Sequence, residues 1–426
     1  MLDRPASNYR WTIVALLFFA TSINYIDRQV IGLLKPTLEK EFNWNEKDYG
    51  YIVMAFQASY ALGLLFFGRL IDRIGTKLGY SLSIVGWSIA AMLHGVARTT
   101  AGFTAARVGL GLGESGNFPA AVKAVAEWFP KKERALATGI FNAGTNIGAV
   151  IAPIMVPFIL GAYGWQEAFV ITGALGFIWL IFWVIFYEIP AKQKRLSKAE
   201  FDYIHSDDVE VDSGEKVSWM KLFGYRQTWT FIAGKFLTDP VWWFFLFWLP
   251  DFFSGTFHLD LKKPGWPLVI VYTATSIGSI GGGYLSGYFI KKGYSVYRAR
   301  KTAMFIFAIC VMPIVFARYA HSMWLVVSLI SLAAAAHQAW SANIYTTASD
   351  MFPKRLVSSI IGIGGMAGAA GGILFPLLVG NILEYFKEAG DKTAGYNIIF
   401  IICGTTYMLA WLLMHVLSPR MKKIVV

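Results

Sequence analysis

Apolar residues run along this chain in long blocks rather than at the short periods of half-buried surface elements. The stretches WTIVALLFFATSINYI (11–26) and GALGFIWLIFWVIFYEI (173–189) are nearly free of charge. Twelve such blocks recur, near 11–34, 49–70, 78–97, 101–126, 134–160, 166–188, 229–253, 267–290, 302–317, 323–349, 357–383 and 395–417. Most reach the ~20 residues with which a helix crosses ~30 Å of hydrocarbon. The pattern predicts an all-α membrane protein with twelve transmembrane helices. The one long polar segment, 190–227, separates six spans from six. It divides the chain into a six-helix bundle over 1–189, a central loop over 190–227 and a second six-helix bundle over 228–426. No cleaved leader is expected, because the first block is too long and no small-residue cleavage site follows it.

Composition agrees with lipid. Of the 426 residues 56% are hydrophobic and only 15% charged, against about 25% charged in soluble domains. The net charge of +12 would suit nucleic acid, but its placement indicates topology instead. With the N-terminus inside, alternate loops and tails carry 25 of the 38 Lys and Arg, the opposite loops nine, and the spans four. That asymmetry places both termini in the cytoplasm and the surplus against anionic lipid, with no nucleic-acid partner. Cys310 and Cys403 lie inside predicted spans, without metal-ligand spacing, and no structural disulfide is expected.

The two halves repeat. WFPKKERALATGIFNAGTNIGAVIAP (128–153) parallels MFPKRLVSSIIGIGGMAGAAGGILFP (351–376), and at an offset of 223 the pairs Phe129/Phe352, Pro130/Pro353, Lys131/Lys354, Gly139/Gly362, Gly148/Gly371 and Pro153/Pro376 coincide. A parallel repeat of six-helix halves is a transporter plan, with substrate bound between the halves near the midplane. Between spans two and three, GRLIDRIGTK (68–77) resembles the loop signature of the major facilitator superfamily, with Gly68, Asp72, Arg73, Gly75 and Lys77 matching and Thr76 departing. Asp72 and Arg73 are therefore expected in a gate on the cytoplasmic side. The corresponding GYLSGYFIKKG (283–293) has Gly287 where the acid would stand, so an asymmetric latch is expected.

Ionisable residues at membrane depth cost several kcal/mol and face a cavity or a partner. Span four holds Arg107 and Glu114, span one Asp27 and Arg28, span seven Lys235 and Asp239. At about 100° per residue, Arg107, Gly111 and Glu114 share one face, while Gly109, Gly113 and Gly116 form a small-residue face suited to close packing. Arg28 can bind a carboxylate through its planar fork. Asp27, pointing about 100° away, suits proton binding or a helix bridge. Spacing i,i+4 makes Lys235 and Asp239 a local pair by default. Tyr60 and Gln57 in span two, Asn142, Thr145 and Asn146 in span five, and His337, Trp340 and Ser341 in span ten supply further polar or aromatic faces. His337 beside Gln338 and Asn343 is a candidate for sugar hydroxyls.

No motif suggests an enzyme or a pump. The chain lacks G-x-x-x-x-G-K-[ST] for ATP, clustered metal ligands and a soluble catalytic domain, so no cofactor is expected and energy must come from a gradient. GLGESG (111–116) spells G-x-G-x-x-G, yet it lies inside an apolar block with no βαβ unit around it. A nutrient sensor built on this plan would carry a long signalling loop, which 190–227 does not offer.

Three stretches carry a wider resemblance: AEWFPKKERALATGIFNAGTNIGAVIAP (126–153), WQEAFVITGALGFIWLIFWVIFY (165–187) and AHQAWSANIYTTASDMF (336–352). Over nearly its whole length the chain resembles the anion:cation symporter branch of the major facilitator superfamily, and within it the bacterial hexuronate transporters. The resemblance implies the twelve-helix fold, rocker-switch alternating access and proton-driven import of a sugar acid such as glucuronate or galacturonate. It also implies a monomer in the bacterial inner membrane. Carried over, it puts proton coupling on Glu114 with Arg107 and Asp27, and substrate on Arg28, Tyr60 and Thr145. Tyr25 and Trp340 join His337, Gln338 and Asn343 as further substrate-binding residues. The Asp27–Arg28 pair and Tyr60 match the related aldonate symporters, whereas Thr145 stands where those have glutamine and the hexuronate group differs at Asp27. Aldonate, glucarate or an aromatic acid are the alternative substrates.

Overall fold

The computed structural model of the protein describes residues 7–44, 46–206, 218–257, 266–320 and 322–424. The first half contains α1 (Tyr9–Phe42), α2 (Glu46–Ile74), α3 (Thr76–Leu93), α4 (Thr100–Glu114), α5 (Asn117–Trp128), α6 (Lys131–Tyr163) and α7 (Trp165–Phe186). A short α8 (Lys198–Ile204) lies in the central segment. The second half follows with α9 (Arg226–Phe247), α10 (Leu249–Phe257), α11 (Trp266–Lys291), α12 (Val296–Val311), α13 (Met323–Met351), α14 (Val357–Glu388) and α15 (Lys392–Leu417). Each predicted span is one helix or one interrupted helix, and no strand occurs among the described residues.

Two interruptions matter. Span four breaks after Glu114, where Ser115 and Gly116 form a turn before α5. Pro119 has no N–H to give the Ser115 carbonyl, so the ladder fails at this point. Glu114 therefore ends a helix instead of lying mid-span. Span seven breaks similarly between α9 and α10.

Eight helices among the described residues are long and apolar enough to cross a membrane by length and composition. The spans containing α1, α3, α4 and α9 fall outside that set, and three of these four, all but α3, carry Asp27, Arg28, Arg107, Glu114, Lys235 and Asp239. Outward faces are apolar: Ile154 and Phe158 of α6 are 71% and 73% exposed. Such a girdle is what lipid requires.

The halves meet by a matched pair of crossings. α2 packs on α14 and α6 packs on α11, which are spans two with eleven and five with eight. The repeated glycines sit at these crossings. A Cβ on Gly139 would lie 2.3 Å from the Ser279 carbonyl oxygen, and one on Gly362 would lie 2.2 Å from that of Leu64. The internal repeat thus encodes one close backbone approach, used twice. Within the first half, Gly109, Gly113 and Gly116 set α4 and its turn against α3.

α8 clasps the start of α1. Glu200 accepts hydrogen bonds from Ser7, from the backbone N–H groups of Tyr9 (3.0 Å) and Arg10 (3.1 Å), and from Arg10 Nη1 (2.9 Å). Burial pushes the Glu200 carboxyl up, but these donors outweigh it and hold it below the usual range. The clasp is therefore stabilising at neutral pH and is lost only as pH falls through the carboxylate range.

A Cβ on Gly113 would come 2.4 Å from the Trp87 backbone nitrogen, whereas one on Gly281 meets nothing within 4 Å. Gly113→Val should cost about 1–3 kcal/mol of stability through overpacking, and Gly281→Val almost none. Thermal unfolding in detergent measures both, and equal melting temperatures would contradict this packing.

Candidate functional site

A cavity of about 710 Å³, counting its mouth, lies between the halves. Its first-half wall is built around Arg28 of α1. The guanidinium lies over three rings, 4.6 Å from the Tyr25 centroid, 4.7 Å from Tyr60 and 5.1 Å from Phe56. Tyr25 precedes Arg28 by three residues on α1, and Phe56 and Tyr60 are one turn apart on α2 and stacked at 5.8 Å. Such faces hold a cation in place at low desolvation cost.

Beneath them sits Glu114, fully buried. Arg28 Nε donates to Glu114 Oε2 at 2.9 Å, and Nη2 lies 2.9 Å from the same oxygen. The other oxygen, Oε1, is buried with no hydrogen-bond partner among the described residues. Arg107 stands behind this pair, its Nη2 donating to the Arg28 carbonyl at 3.1 Å and its guanidinium 5.2 Å from the Phe56 centroid. It braces α1 at the residue that carries the fork.

The second-half wall carries another pair. Lys235 Nζ lies 2.7 Å from Asp239 Oδ2 and donates to the Tyr345 hydroxyl at 2.9 Å. His337 stacks on Trp242 at 5.3 Å and is hydrogen-bonded through Nδ1 to the Tyr407 hydroxyl. Across the cavity floor, Asn142 Nδ2 of α6 donates to Gln338 Oε1 of α13 at 2.7 Å and to Ser279 Oγ of α11 at 3.0 Å. Polar side chains therefore join the halves where the cavity ends.

Farther along, at the end where Glu200 and Ile424 lie, the halves are latched. Asp72 at the foot of α2 pairs with Lys123 at 2.8 Å. It also accepts from the backbone N–H groups of Ser358 (3.2 Å) and Ser359 (2.6 Å). An acid from one half thus caps the first turn of α14 in the other, where free N–H groups and the helix dipole favour a negative charge. The second closure uses side chains: Asp350 pairs with Arg134 at 3.3 Å and Arg300 at 3.0 Å, and Arg300 Nη2 reaches the Lys131 carbonyl at 2.7 Å.

Residues 17–376 match the Major Facilitator Superfamily. The chain belongs to that superfamily. It is a multi-pass membrane transporter and not an enzyme. The hexuronate transporter of Escherichia coli (strain K12) is 32% identical over 403 residues, spanning 94% of this chain and 91% of that protein. The galacturonate transporter of Dickeya chrysanthemi is 33% identical over 285 residues, spanning 66% and 83%. Among solved structures, the major facilitator proton:xylose symporter XylE bound to 6-bromo-6-deoxy-D-glucose aligns with a TM-score of 0.77 at 16% identity, covering 97% of each chain. That last likeness shows the fold alone.

In this major facilitator protein the residues expected from sequence divide into three groups. Tyr25, Arg28, Tyr60, Thr145, His337 and Gln338 line the cavity. Glu114 and Arg107 lie directly behind Arg28. The hydrogen-bonded partner of Glu114 is Arg28 of α1, while Arg107 stands two turns away on its own helix. The remainder point elsewhere. Trp340 is fully buried edge-on against Tyr407, 5.5 Å between centroids. Asn343 pins α13 to α11 through the Gly282 carbonyl at 2.9 Å. Asp27 is 2% exposed and sits beside Thr172 of α7, off the cavity. Arg73 is exposed, and Lys123 is the cation that holds Asp72. Tyr345 was missed, although it continues the His337 and Ser341 face at i+4 steps.

Asp72→Ala should loosen the latch. Its side chain and that of Lys123 are only 2% and 5% exposed, and breaking such a buried pair costs about 3–5 kcal/mol. A cysteine at Ser349, which is 4% exposed beneath the closed end, should then be alkylated several-fold faster in protein lacking Cys310 and Cys403. Equal rates would show that the cap does not hold this end shut.

Proposed function

We propose that this transporter is a proton-coupled symporter that imports a monoanionic sugar acid, a hexuronate such as glucuronate or galacturonate. It would act as a monomer in the bacterial inner membrane, with both termini cytoplasmic. The observation that carries this reading is the Arg28 fork, fixed by aromatic faces at the cavity wall and engaged by a buried carboxylate. The functions of the two bacterial relatives, hexuronate and galacturonate transport, support the substrate class.

Coupling follows from competition. One guanidinium fork in a dry site serves one carboxylate well. With Glu114 ionised, Arg28 is occupied. When Glu114 takes a proton, on Oε1 or by release of Oε2, Arg28 is freed for the substrate carboxylate, and Arg28 never stands buried without a counter-charge. Proton and anion therefore load together, and they leave together when the halves rock. Arg107 keeps Arg28 in register, and Asp27 is a second proton site beside Thr172. Tyr25, Tyr60 and Thr145 flank the carboxylate, while His337 and Gln338 take hydroxyls. Asp72 with Lys123 opens and closes the cytoplasmic gate. The proton gradient supplies the energy, without a cofactor. A second reading, an aldonate such as galactonate, rests on the Asp27–Arg28 pair and Tyr60.

Glu114→Gln should abolish uphill uptake driven by a pH gradient yet keep counterflow exchange, and its affinity for glucuronate should no longer depend on pH. Undiminished proton-driven uptake in proteoliposomes would remove Glu114 from the mechanism. Arg28→Lys retains the charge but not the fork, and should weaken glucuronate binding by about tenfold or more. An unchanged dissociation constant would rule out the clamp.

A further inference from the structure

The pair on α9 has no part in the coupling just described. Its two members are presented differently: the Lys235 side chain is 3% exposed and the Asp239 side chain 22%. Both border the cavity. Lys235 is turned into the wall, with its ammonium shared between Asp239 and Tyr345 and 4.2 Å from the Tyr345 ring centroid. Asp239 cannot fold back behind the helix. Its Oδ2 is held by Lys235, and α14 passes so close that a Cβ on Gly368 would lie 2.1 Å from that oxygen. What the second half offers to a substrate at this point is therefore a carboxylate fixed in place by a buried cation.

A carboxylate accepts hydrogen bonds and donates none. Hydroxyl donors satisfy it well, and hydrogen bonds to a charged acceptor are the stronger kind. A second carboxylate meets repulsion there, stronger beside low-dielectric walls than in open water. Arg28 is on the opposite half, so a bound acid spans from one wall to the other.

Resting on the sugar-acid reading above, we propose that Asp239, held by Lys235, is a specificity-determining residue that takes the hydroxyl end of the substrate and rejects sugar acids bearing a second carboxylate. Arg28 chooses an anion, and Asp239 sets its charge at one. Selection works by repulsion of the competitor as much as by attraction of the substrate.

The test compares glucuronate, a monoanion, with glucarate, its dianionic counterpart, by calorimetric titration of the purified full chain. Removing Asp239 alone would strand a buried ammonium, so the main variant is the neutral pair Lys235→Gln with Asp239→Asn, with Asp239→Asn alone as the second. Wild type should bind glucuronate at least about tenfold more tightly than glucarate. In the neutral-pair variant that gap should close to about twofold, glucarate gaining and glucuronate losing affinity. Wild type that binds the two equally, or a variant that keeps the full gap, overturns the role of Asp239 while leaving the sugar-acid reading intact. Wild type that binds neither acid overturns the hexuronate reading, and this proposal with it.

Discussion

A guanidinium held between two helices at the cavity wall, with one carboxylate to answer it, is the constraint on which this transporter turns. Arg28 and Glu114 come from α1 and α4, 2.9 Å apart, in a part of the protein where neither charge can be left alone. Removing the partner of a buried ion costs about 3–5 kcal/mol, so the site permits exchanges and not vacancies. In the cycle proposed above, a proton replaces the arginine at Glu114, and a substrate carboxylate replaces Glu114 at the arginine. Because three aromatic rings and the Arg107 brace keep Arg28 where it is, the exchange takes place at one point in space. In the proposed cycle that fixed point is what ties the proton to the sugar acid.

The scaffold around this point is symmetric, and its closure is not. Gly139 and Gly362, equivalent in the repeat, let α6 meet α11 and α2 meet α14 at backbone distance. Two matched crossings form the seam between the halves. At the closed end one crossing is sealed by Asp72 against the N–H groups of α14. The other, where Gly287 replaces the acid, is sealed by Asp350 between Arg134 and Arg300. The second latch compensates with side chains for the acid that the repeat lacks.

Most of the fold was legible because lipid makes span length and apolarity unambiguous, and because the repeat shows itself at a constant offset. The break after Glu114 was not, since Pro119 reads as harmless near a helix start unless the start itself is known. Within a helix, angles follow from spacing, and Arg107 and Glu114 do share a face. Which neighbouring helix supplies the nearer partner depends on rotation of α1 against α4, which spacing along one helix does not contain. The same ignorance of rotation put Asn343 with His337, although α13 turns it toward the Gly282 carbonyl, while Trp340 shares Tyr407 with His337 but does not line the cavity. Asp72 is identified as a latch residue from its motif, but its cation comes from Lys123, 51 residues on in sequence and adjacent only in space.

The central claim is that Arg28 serves one carboxylate at a time, so that an arriving anion sends Glu114 to a proton. Counting protons tests it without any substitution. Glucuronate binding, titrated calorimetrically at a pH above neutral in buffers of different ionisation enthalpy, should take up about one proton per anion bound. Binding with no net proton uptake at any pH would contradict the account.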